Sequence, residues 1–362
     1  MEHGLPPPRP RPVTVTERPR HVTMKDVAEV AQVSQSTVSR VLSGAPPAVP
    51  ISERTRARVL ATAARLNYRP NPLARGLRGA PTMLIGAIVR DVTDPFFAVA
   101  IDALSRHARR RDYSVVLGHA REQAQEALAL AAVLEARQCD AIVLLGDVRE
   151  EPGLLEDLSA VDAPVLELWR GSGDGRFPAI SVDNGEGMRR ALRHLSELGH
   201  TQIAFVGDPE KADVAERLEA YREWGEDVVT VRNTPEDGAR ALDVLLDRRR
   251  PPTAIAAATD VLAFGLLHQA AARGLRVPDD LSVTGFDDIP LAASAVPALT
   301  TVRMPIDAMA EAAVERAIGA TTETPVFGAE LVVRASTSAP APGRASDRAE
   351  TDEATSRDQD SA

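Results

Sequence analysis

A run of polar side chains near the N-terminus, QSTVSR at residues 35–40, has the composition of a surface that reads DNA. Gln35 can pair with adenine through two hydrogen bonds, Arg40 can pair with guanine in the same way, and Ser36 can bond to a base edge. Three hydroxyl residues beside them suit contacts to the DNA backbone: Ser34, Thr37 and Ser39. The alternative is an ordinary helical hairpin whose hydroxyl residues only meet water.

A second group of residues with chemical potential follows two apolar runs further along the chain. Asp94, Phe96 and Phe97 come after LIGAIV, and Trp169 and Arg170 come after PVLEL. Ligands of open α/β sheets gather at the carboxyl ends of strands. Of the 12 aromatic residues in the chain, three fall in these two loops. Aromatic faces beside a carboxylate and a guanidinium suit a sugar or another polyhydroxylated ring. The alternative for the two phenylalanines is a place in the core at the start of a helix.

Sequence motifs for catalysis are absent. There is no GxSxG, P-loop or HExxH, and the glycine cluster at 171–175 opens into Arg-Phe-Pro rather than into a helix. The 7 histidines are scattered. We therefore expect no catalytic residue, no metal and no cofactor.

The polar run of the head needs a helix-turn-helix to present it, and residues 23–42 have that pattern. Thr23 and Asp26 form a capping-box-like pair for a first helix that ends near Gln32, Val33 fills the turn, and Ser34 caps the second helix. A third helix, capped by Ser52, is predicted over 53–67. In the three helices, apolar residues recur at intervals of three and four positions, which predicts that their side chains face the core of the head. These residues are Val27, Ala28, Ala31, Val38, Val41, Leu42, Val59, Ala63 and Leu66.

Charge divides the chain in the same way. Residues 1–79 contain 13 Lys and Arg against 5 Asp and Glu, a net charge of +8, whereas residues 80–362 contain 29 against 47, a net charge of −18. A basic head on an acidic body is the distribution expected if only the head meets phosphate. The segments 1–20 and 340–362 lack apolar periodicity and are predicted to be disordered tails.

Cellular location follows from what the sequence lacks. There is no secretory signal and no apolar run long enough to span a membrane, and the single cysteine, Cys139, cannot form an internal disulfide. We expect a cytoplasmic protein, associated with the nucleoid when it binds DNA.

The body alternates short apolar runs with helical stretches, which indicates parallel sheets. One series begins near residue 83 and a second near Pro164. The predicted fold is an all-α helix-turn-helix head followed by an α/β core of two doubly wound lobes. The predicted domains are the head at 21–69, a hinge at 70–80 and the core at 81–339. Within the core we expect an N-lobe at about 82–162 and 304–328, and a C-lobe at about 163–303 and 329–339.

The segments VAEVAQVSQSTVSRVLSG and LNYRPNPLARGL resemble the DNA-binding head and hinge of the LacI/GalR family of bacterial transcription regulators. Motifs of the family extend from about residue 22 to about 339. The resemblance implies a periplasmic-binding-protein-like core, a homodimer and a palindromic double-stranded DNA operator. It also implies backbone contacts from Asn67 and Tyr68, and a hinge helix over 72–78 whose Ala74 and Leu77 meet the minor groove.

The same resemblance points to effector contacts at Arg217, Asp260 and Asp287. Two departures affect the ligand. The family commonly has aspartate where this chain has Trp169, and asparagine where it has Thr259, which we also assign to the effector site. Losing a carboxylate and an amide removes acceptors for hydroxyl groups, so we expect an effector smaller or less hydroxylated than a typical hexose.

The sequence therefore predicts a sequence-specific transcriptional regulator, a repressor, whose operator binding is controlled by a small molecule, a sugar or related metabolite, between two lobes. The alternatives are a solute-binding or sugar-processing protein of the same lobed fold, and an activator rather than a repressor.

Overall fold

The structure is a computed structural model. It describes residues 22–43, 50–68, 81–121, 123–136, 138–146, 158–169 and 177–341. The predicted hinge and tails lie outside these residues, apart from 340 and 341 at the start of the C-terminal tail. The chain divides into two compact units, Met1–Ala80 and Pro81–Ala362, which we call the head and the core.

The described part of the head contains three helices: α1 (Met24–Ala31), α2 (Gln35–Ser43) and α3 (Glu53–Arg65). Their capping signals confirm the sequence analysis. The backbone N–H of Thr23 donates to Asp26 Oδ2 over 2.7 Å and that of Asp26 donates back to Thr23 Oγ1 over 3.3 Å, which closes the capping box. The predicted apolar residues meet in one small core around Val27, Val38 and Val59, with Val33 and Leu66 packed against it.

The first sheet of the core is parallel and has the order β2-β1-β3-β4-β5-β11. Its strands are β1 (Leu84–Val89), β2 (Ser114–His119), β3 (Ala141–Leu145), β4 (Val165–Trp169), β5 (Ala179–Val182) and β11 (Val326–Phe327). Helices α4 (Pro95–Arg110), α5 (Ala124–Ala136) and α11 (Ile306–Ala317) pack against it. We call this part the N-lobe.

The second sheet has the order β7-β6-β8-β9-β10-β12, in which only β12 runs antiparallel to its neighbour. Its strands are β6 (Ile203–Gly207), β7 (Val228–Thr230), β8 (Ala254–Ala257), β9 (Ser282–Asp287), β10 (Thr300–Arg303) and β12 (Glu330–Val332). Its helices are α6 (Asn184–Glu197), α7 (Ala212–Arg222), α8 (Pro235–Leu246), α9 (Asp260–Ala272) and the short α10 (Pro290–Ser294). We call this part the C-lobe.

The boundary between the lobes differs from the prediction at one place. The sequence analysis began the C-lobe at about 163, but β4 pairs with β3 and β5 pairs with β4, so both strands extend the N-lobe sheet. The chain crosses to the C-lobe only after β5, where Asp183 caps α6 by accepting from Glu186 N over 2.8 Å. β11 pairs with β5 in the N-lobe sheet and β12 pairs with β10 in the C-lobe sheet, so the chain also crosses between the lobes on either side of β11.

Burial explains why the strands of the core appear in the sequence as runs of apolar residues. Both β3 and β9 are buried along their whole length, because helices cover both faces of a doubly wound sheet. Such strands carry no alternation that would mark one face as solvated. Their polar residues therefore collect at the ends, where the two lobes meet.

Candidate DNA-reading face and ligand cleft

The polar face predicted for α2 lies at the surface of the head. Gln35, Ser36 and Arg40 are exposed, whereas Val38 and Val41 of the same helix are buried in the head core. The helix begins at Ser34, whose Oγ accepts from the backbone N–H of Thr37 over 3.1 Å. The result is a short helix with one apolar side against α1 and α3 and one hydrogen-bonding side against solvent, the arrangement a recognition helix needs.

The remaining head residues fall at two places. Thr37 and Ser39 are half-buried along α2, and Ser34 Oγ lies 2.8 Å from Thr37 Oγ1. Asn67 is exposed beyond α3 with a left-handed φ of 49°, and Tyr68 packs on the head core. The hinge residues Ala74 and Leu77 lie outside the described residues.

The two lobes of the core face each other across a cleft of about 470 Å³ that is open to solvent on one side. The side chains that line it follow the carboxyl ends of strands in both lobes, as expected for doubly wound sheets. They are Arg90, Asp94, Phe96, Phe97, Gly146, Trp169, Asn184, Asp213, Arg217, Thr259, Asp287 and Met304. Seven of the predicted effector residues are among them, and Arg170 lies outside the described residues.

Three aromatic rings form one corner of the cleft. The ring centroids of Phe96 and Trp169 lie 4.8 Å apart, and those of Phe97 and Trp169 lie 5.7 Å apart, in edge-to-face arrangements. Both phenylalanines also belong to the N-lobe core at the first turn of α4, so the same two residues pack in the core and line the cleft. Gly146 lets the corner close, since a Cβ there would lie 2.7 Å from Phe97 Cζ at a φ of 89°.

Arg217 is the most completely buried cation of the site, with a relative exposure of 1%. Its Nε and Nη2 donate to Asn184 Oδ1 over 3.1 and 2.9 Å, and its Nη1 donates to the carbonyl of Ala258 over 2.6 Å. The guanidinium also stacks on Phe286, with Cζ 3.7 Å from the ring centroid. Asn184, Ala258 and Phe286 thus fix this group in one position in the cleft.

The pKa values of the cleft carboxyl groups are shifted in opposite directions. Burial alone would raise the pKa of Asp213, but Arg217 at 3.2 Å and Arg90 at 3.8 Å outweigh it and hold that pKa below its usual value. Burial raises the pKa of Asp287 well above the usual value even though Arg217 Nη1 lies 3.9 Å away. Burial likewise raises the pKa of Asp94. The two arginines therefore stabilise the ionised form of Asp213 more strongly than that of the other two carboxyl groups.

Asp260 is the exception among the predicted effector residues, because its side chain does not line the cleft. It is fully buried and accepts from Thr301 Oγ1 and from Ile289 N, the latter over 2.9 Å. Its carboxylate ties the start of α9 to β10 and to the loop after β9. Both of its oxygens are occupied within the protein, so an effector finds no free atom there.

A pH dependence of stability follows from Asp260. Burial raises its pKa to about 7, against the opposing bonds from Thr301 and Ile289. Between about pH 4 and 7 the unfolded chain therefore loses this proton while the folded chain keeps it, so the free energy of unfolding falls as pH rises. Urea denaturation should show that, between pH 5 and 7, the free energy of unfolding of the wild type falls by about 1–2 kcal/mol more than that of Asp260→Asn, whose amide does not titrate. Equal slopes would contradict the buried protonated carboxyl.

A direct hydrogen bond joins the two lobes beside the cleft. Asn233, which follows β7 in the C-lobe, donates through Nδ2 to Asp94 Oδ2 of the N-lobe over 2.9 Å. Thr259 Oγ1 donates in turn to Asn233 Oδ1 over 2.6 Å. We call the chain Asp94–Asn233–Thr259 the interlobe latch. Arg90 and Asp213 form a second, longer contact between the lobes.

The sequence analysis missed four polar residues of this region: Arg90, Asn184, Asp213 and Asn233. Arg90 directly follows β1 and a search restricted to strand ends would have found it. Asn184 and Asp213 belong to helix starts, and Asn233 lies three residues after β7, beyond the positions directly after a strand.

Among the residues that the structure describes, none of the helices has the length and apolar character of a membrane span.

Comparison with known proteins identifies relatives of both the head and the core. Residues 23–71 match the model of the family described as bacterial regulatory proteins, lacI family, and residues 192–337 match that of the periplasmic binding protein-like domain. The HTH-type transcriptional repressor CytR of Escherichia coli strain K12 is 34% identical over 301 residues, 78% of this chain and 85% of that protein. A lac repressor dimer bound to operator and the anti-inducer ONPF superposes with a TM-score of 0.77 at 27% identity, over 88% of this chain and 100% of that chain. A complex of the regulator CelR with cellobiose superposes with a TM-score of 0.63 at 29% identity, over 88% and 100%.

Proposed function

The chain belongs to the lacI family of bacterial regulatory proteins, and we propose on that premise that it is a homodimeric repressor whose operator binding is controlled by an effector held between the two lobes. The observation that carries this proposal is the pairing of an exposed polar face on α2 with a polar and aromatic cleft in the core. CytR is a repressor, and the lac repressor structure holds a dimer on operator DNA. The CelR structure holds a sugar.

Each head reads one half-site of a palindrome. Gln35, Ser36 and Arg40 contact base edges, which provides the sequence preference. Five residues contact the DNA backbone and fix the register: Ser34, Thr37, Ser39, Asn67 and Tyr68. The segment 70–80 acts as a hinge in which Ala74 and Leu77 enter the minor groove. This assignment is supported by the net charge of +8 on residues 1–79.

The effector contacts the predicted residues that line the cleft, together with Arg170. The cleft-lining ones are Asp94, Phe96, Phe97, Trp169, Arg217, Thr259 and Asp287. Arg217, held by Asn184 and Ala258, is a fixed donor group that an effector meets without further ordering cost. Binding alters the angle between the lobes and so the spacing of the two hinges. Only an effector that binds the two lobe arrangements with different affinity produces such a switch.

Catalysis is not part of this function. The relatives are transcription regulators, and the cleft residues described above serve binding: Asp213 lies 3.2 Å from Arg217, and Arg217 is held by Asn184, Ala258 and Phe286. We place the protein in the cytoplasm, at the nucleoid when it occupies its operator, because that is where its DNA target lies.

The test is selection from a randomised duplex DNA pool by the purified full-length protein at two salt concentrations, followed by sequencing. Retention of a palindrome with a deformable central step supports the dimeric reader. Retention without sequence preference that vanishes with salt reduces the head to a basic patch and contradicts the proposal. Turnover of a candidate ligand by the protein would favour a sugar-processing function instead.

The interlobe latch gives a prediction that needs no ligand. Asn233→Ala removes the hydrogen bond to Asp94 that joins the lobes, together with the bond from Thr259 that orients the Asn233 amide. Losing about 0.5–1.5 kcal/mol of stabilisation of the closed lobe arrangement should raise the ratio of molecules with open lobes to molecules with closed lobes about 2- to 10-fold. The measurement is acrylamide quenching of Trp169 fluorescence in a Trp224→Phe background, since Trp169 is 4% exposed here.

Thr259→Ser is the control for the latch, because it keeps the hydroxyl that donates to Asn233 and should leave quenching unchanged. If Asn233→Ala leaves Trp169 equally protected, the latch does not hold the lobes together.

A further inference from the structure

Two hydrogen-bond donors of the cleft are buried without partners. They are Trp169 Nε1 and Arg90 Nε, and neither has an acceptor among the residues that the structure describes. Trp169 is 4% exposed and Arg90 is 8% exposed, and both line the cleft. Leaving a donor buried and unbonded costs about 1–3 kcal/mol, so such a pair marks a place where something else supplies acceptors.

The two donors lie on the same wall. Trp169 is the last residue of β4 and Arg90 is the first residue after β1, and β3 lies between these strands in the N-lobe sheet. Both side chains pack against Phe97, Trp169 edge-to-face and Arg90 with its Cζ 5.1 Å from the ring centroid. The N-lobe wall therefore presents apolar ring surface and two unsatisfied N–H groups.

The acceptors already present in the cleft do not serve these donors. Asp94 Oδ1 accepts from Phe96 N over 2.9 Å, and its Oδ2 accepts from Asn233. Asp213 Oδ1 has no hydrogen-bond partner among the described residues, and Asp213 lies 3.2 Å from Arg217 but 3.8 Å from Arg90, so the charge of Arg90 is the less fully compensated of the two. An oxyanion beside Arg90 would complete this balance, and a hydroxyl group on the same ligand would supply the donor that Asp213 Oδ1 lacks.

We propose that the effector is a small hydroxylated carboxylic acid whose carboxylate accepts from Arg90 Nε and Trp169 Nε1; this rests on the proposed function of the cleft. Two free donors match the two oxygens of a carboxylate, whereas a phosphate presents three. The hydroxyl end of the acid faces the C-lobe wall at Thr259 and Asp287.

Three matched series test the ligand class with full-length Trp224→Phe, in which Trp169 is the single tryptophan reporter. They are glycerol, glycerate and glycerol 3-phosphate; ribose, ribonate and ribose 5-phosphate; glucose, gluconate and glucose 6-phosphate. We expect the acid of at least one series to bind ten times more tightly, or better, than its neutral parent. If no acid exceeds its parent, or if the phosphate binds most tightly in every series, the carboxylate assignment is overturned.

A pair of variants separates the N–H group from the ring. Trp169→Phe keeps an aromatic ring but removes the donor, and calorimetry should show about a tenfold loss of affinity for the acid with no change for its neutral parent. Trp224→Phe, at a 42% exposed tryptophan, is the matched control and should change neither. A second variant, Arg90→Lys, keeps the charge without Nε and should weaken the acid selectively. Equal losses for acid and parent would assign Trp169 to packing alone.

The DNA-pool selection is done without any of these compounds. It therefore distinguishes failure of the acid proposal from failure of the proposed repressor function. A clear palindrome with no preference for acids retains the repressor and rejects the acid. Loss of sequence preference rejects the repressor itself.

Discussion

Asp287→Ala is expected to abolish the response of operator binding to the effector while operator affinity itself stays unchanged. Asp287 ends β9 in the cleft with a relative exposure of 6%, beside Arg217 Nη1. Burial raises the pKa of this carboxyl, and its oxygens can accept a hydrogen bond from a hydroxyl group of the effector. Losing one such hydrogen bond to a charged or strongly polar partner weakens binding by about 10- to 100-fold. The head is a separate compact unit, so its own contacts to DNA are retained.

The matched variant for this prediction is Asp287→Asn. Asp287 has a φ of 119°, a backbone conformation that asparagine tolerates better than most residues, and the amide keeps both a donor and an acceptor. Operator gel shifts with and without the effector should show a partial response for Asp287→Asn and none for Asp287→Ala. A normal response in Asp287→Ala would remove Asp287 from the effector site, and weakened operator binding would show that the substitution disturbs more than the cleft.

The parts of the fold that the sequence predicted well are those determined by neighbours along the chain. The cap at Thr23 and the apolar spacing of Val27, Ala28 and Ala31 defined α1 to within a residue or two, because a helix end is satisfied within one turn. The run LIGAIV gave β1 with its bounds unchanged. The rule that ligands gather at strand ends brought Phe97 and Trp169 to one cleft from separate parts of the sequence.

The parts that escaped prediction depend on pairing between distant segments. β4 reads as a buried strand in either lobe, and only its register with β3 assigns it to the N-lobe. Asp260 stands beside a cleft residue, Thr259, but its carboxylate turns towards Thr301, 41 positions further on. Asn233 lies opposite Asp94 because two helices of the C-lobe fix its position, which no local pattern reports.

That position comes from an unusually close crossing of α8 and α9. Gly238 of α8 lies against α9, and a Cβ added at Gly238 would be 2.4 Å from the carbonyl oxygen of Leu262. Gly265 of α9 lies against α8, and a Cβ added at Gly265 would be 2.0 Å from the carbonyl oxygen of Pro235. Two helices approach so closely only where neither has a side chain. The crossing brings together the first turns of both helices, and with them Asn233 and Thr259 of the interlobe latch.

Gly265→Ala should therefore destabilise the core by about 3 kcal/mol or more and disrupt the latch. The added Cβ meets backbone atoms of Pro235, which cannot rotate away as a side chain would, so α8 must shift or α9 must open. Gly328→Ala is the control, since a Cβ there meets nothing within 4 Å, and should change stability by less than about 0.5 kcal/mol. Urea denaturation measures both variants, and Trp169 quenching in the folded fraction of Gly265→Ala should match or exceed that of Asn233→Ala. Wild-type stability in Gly265→Ala would mean that the helices are not in backbone contact, and the latch would then need another explanation for its geometry.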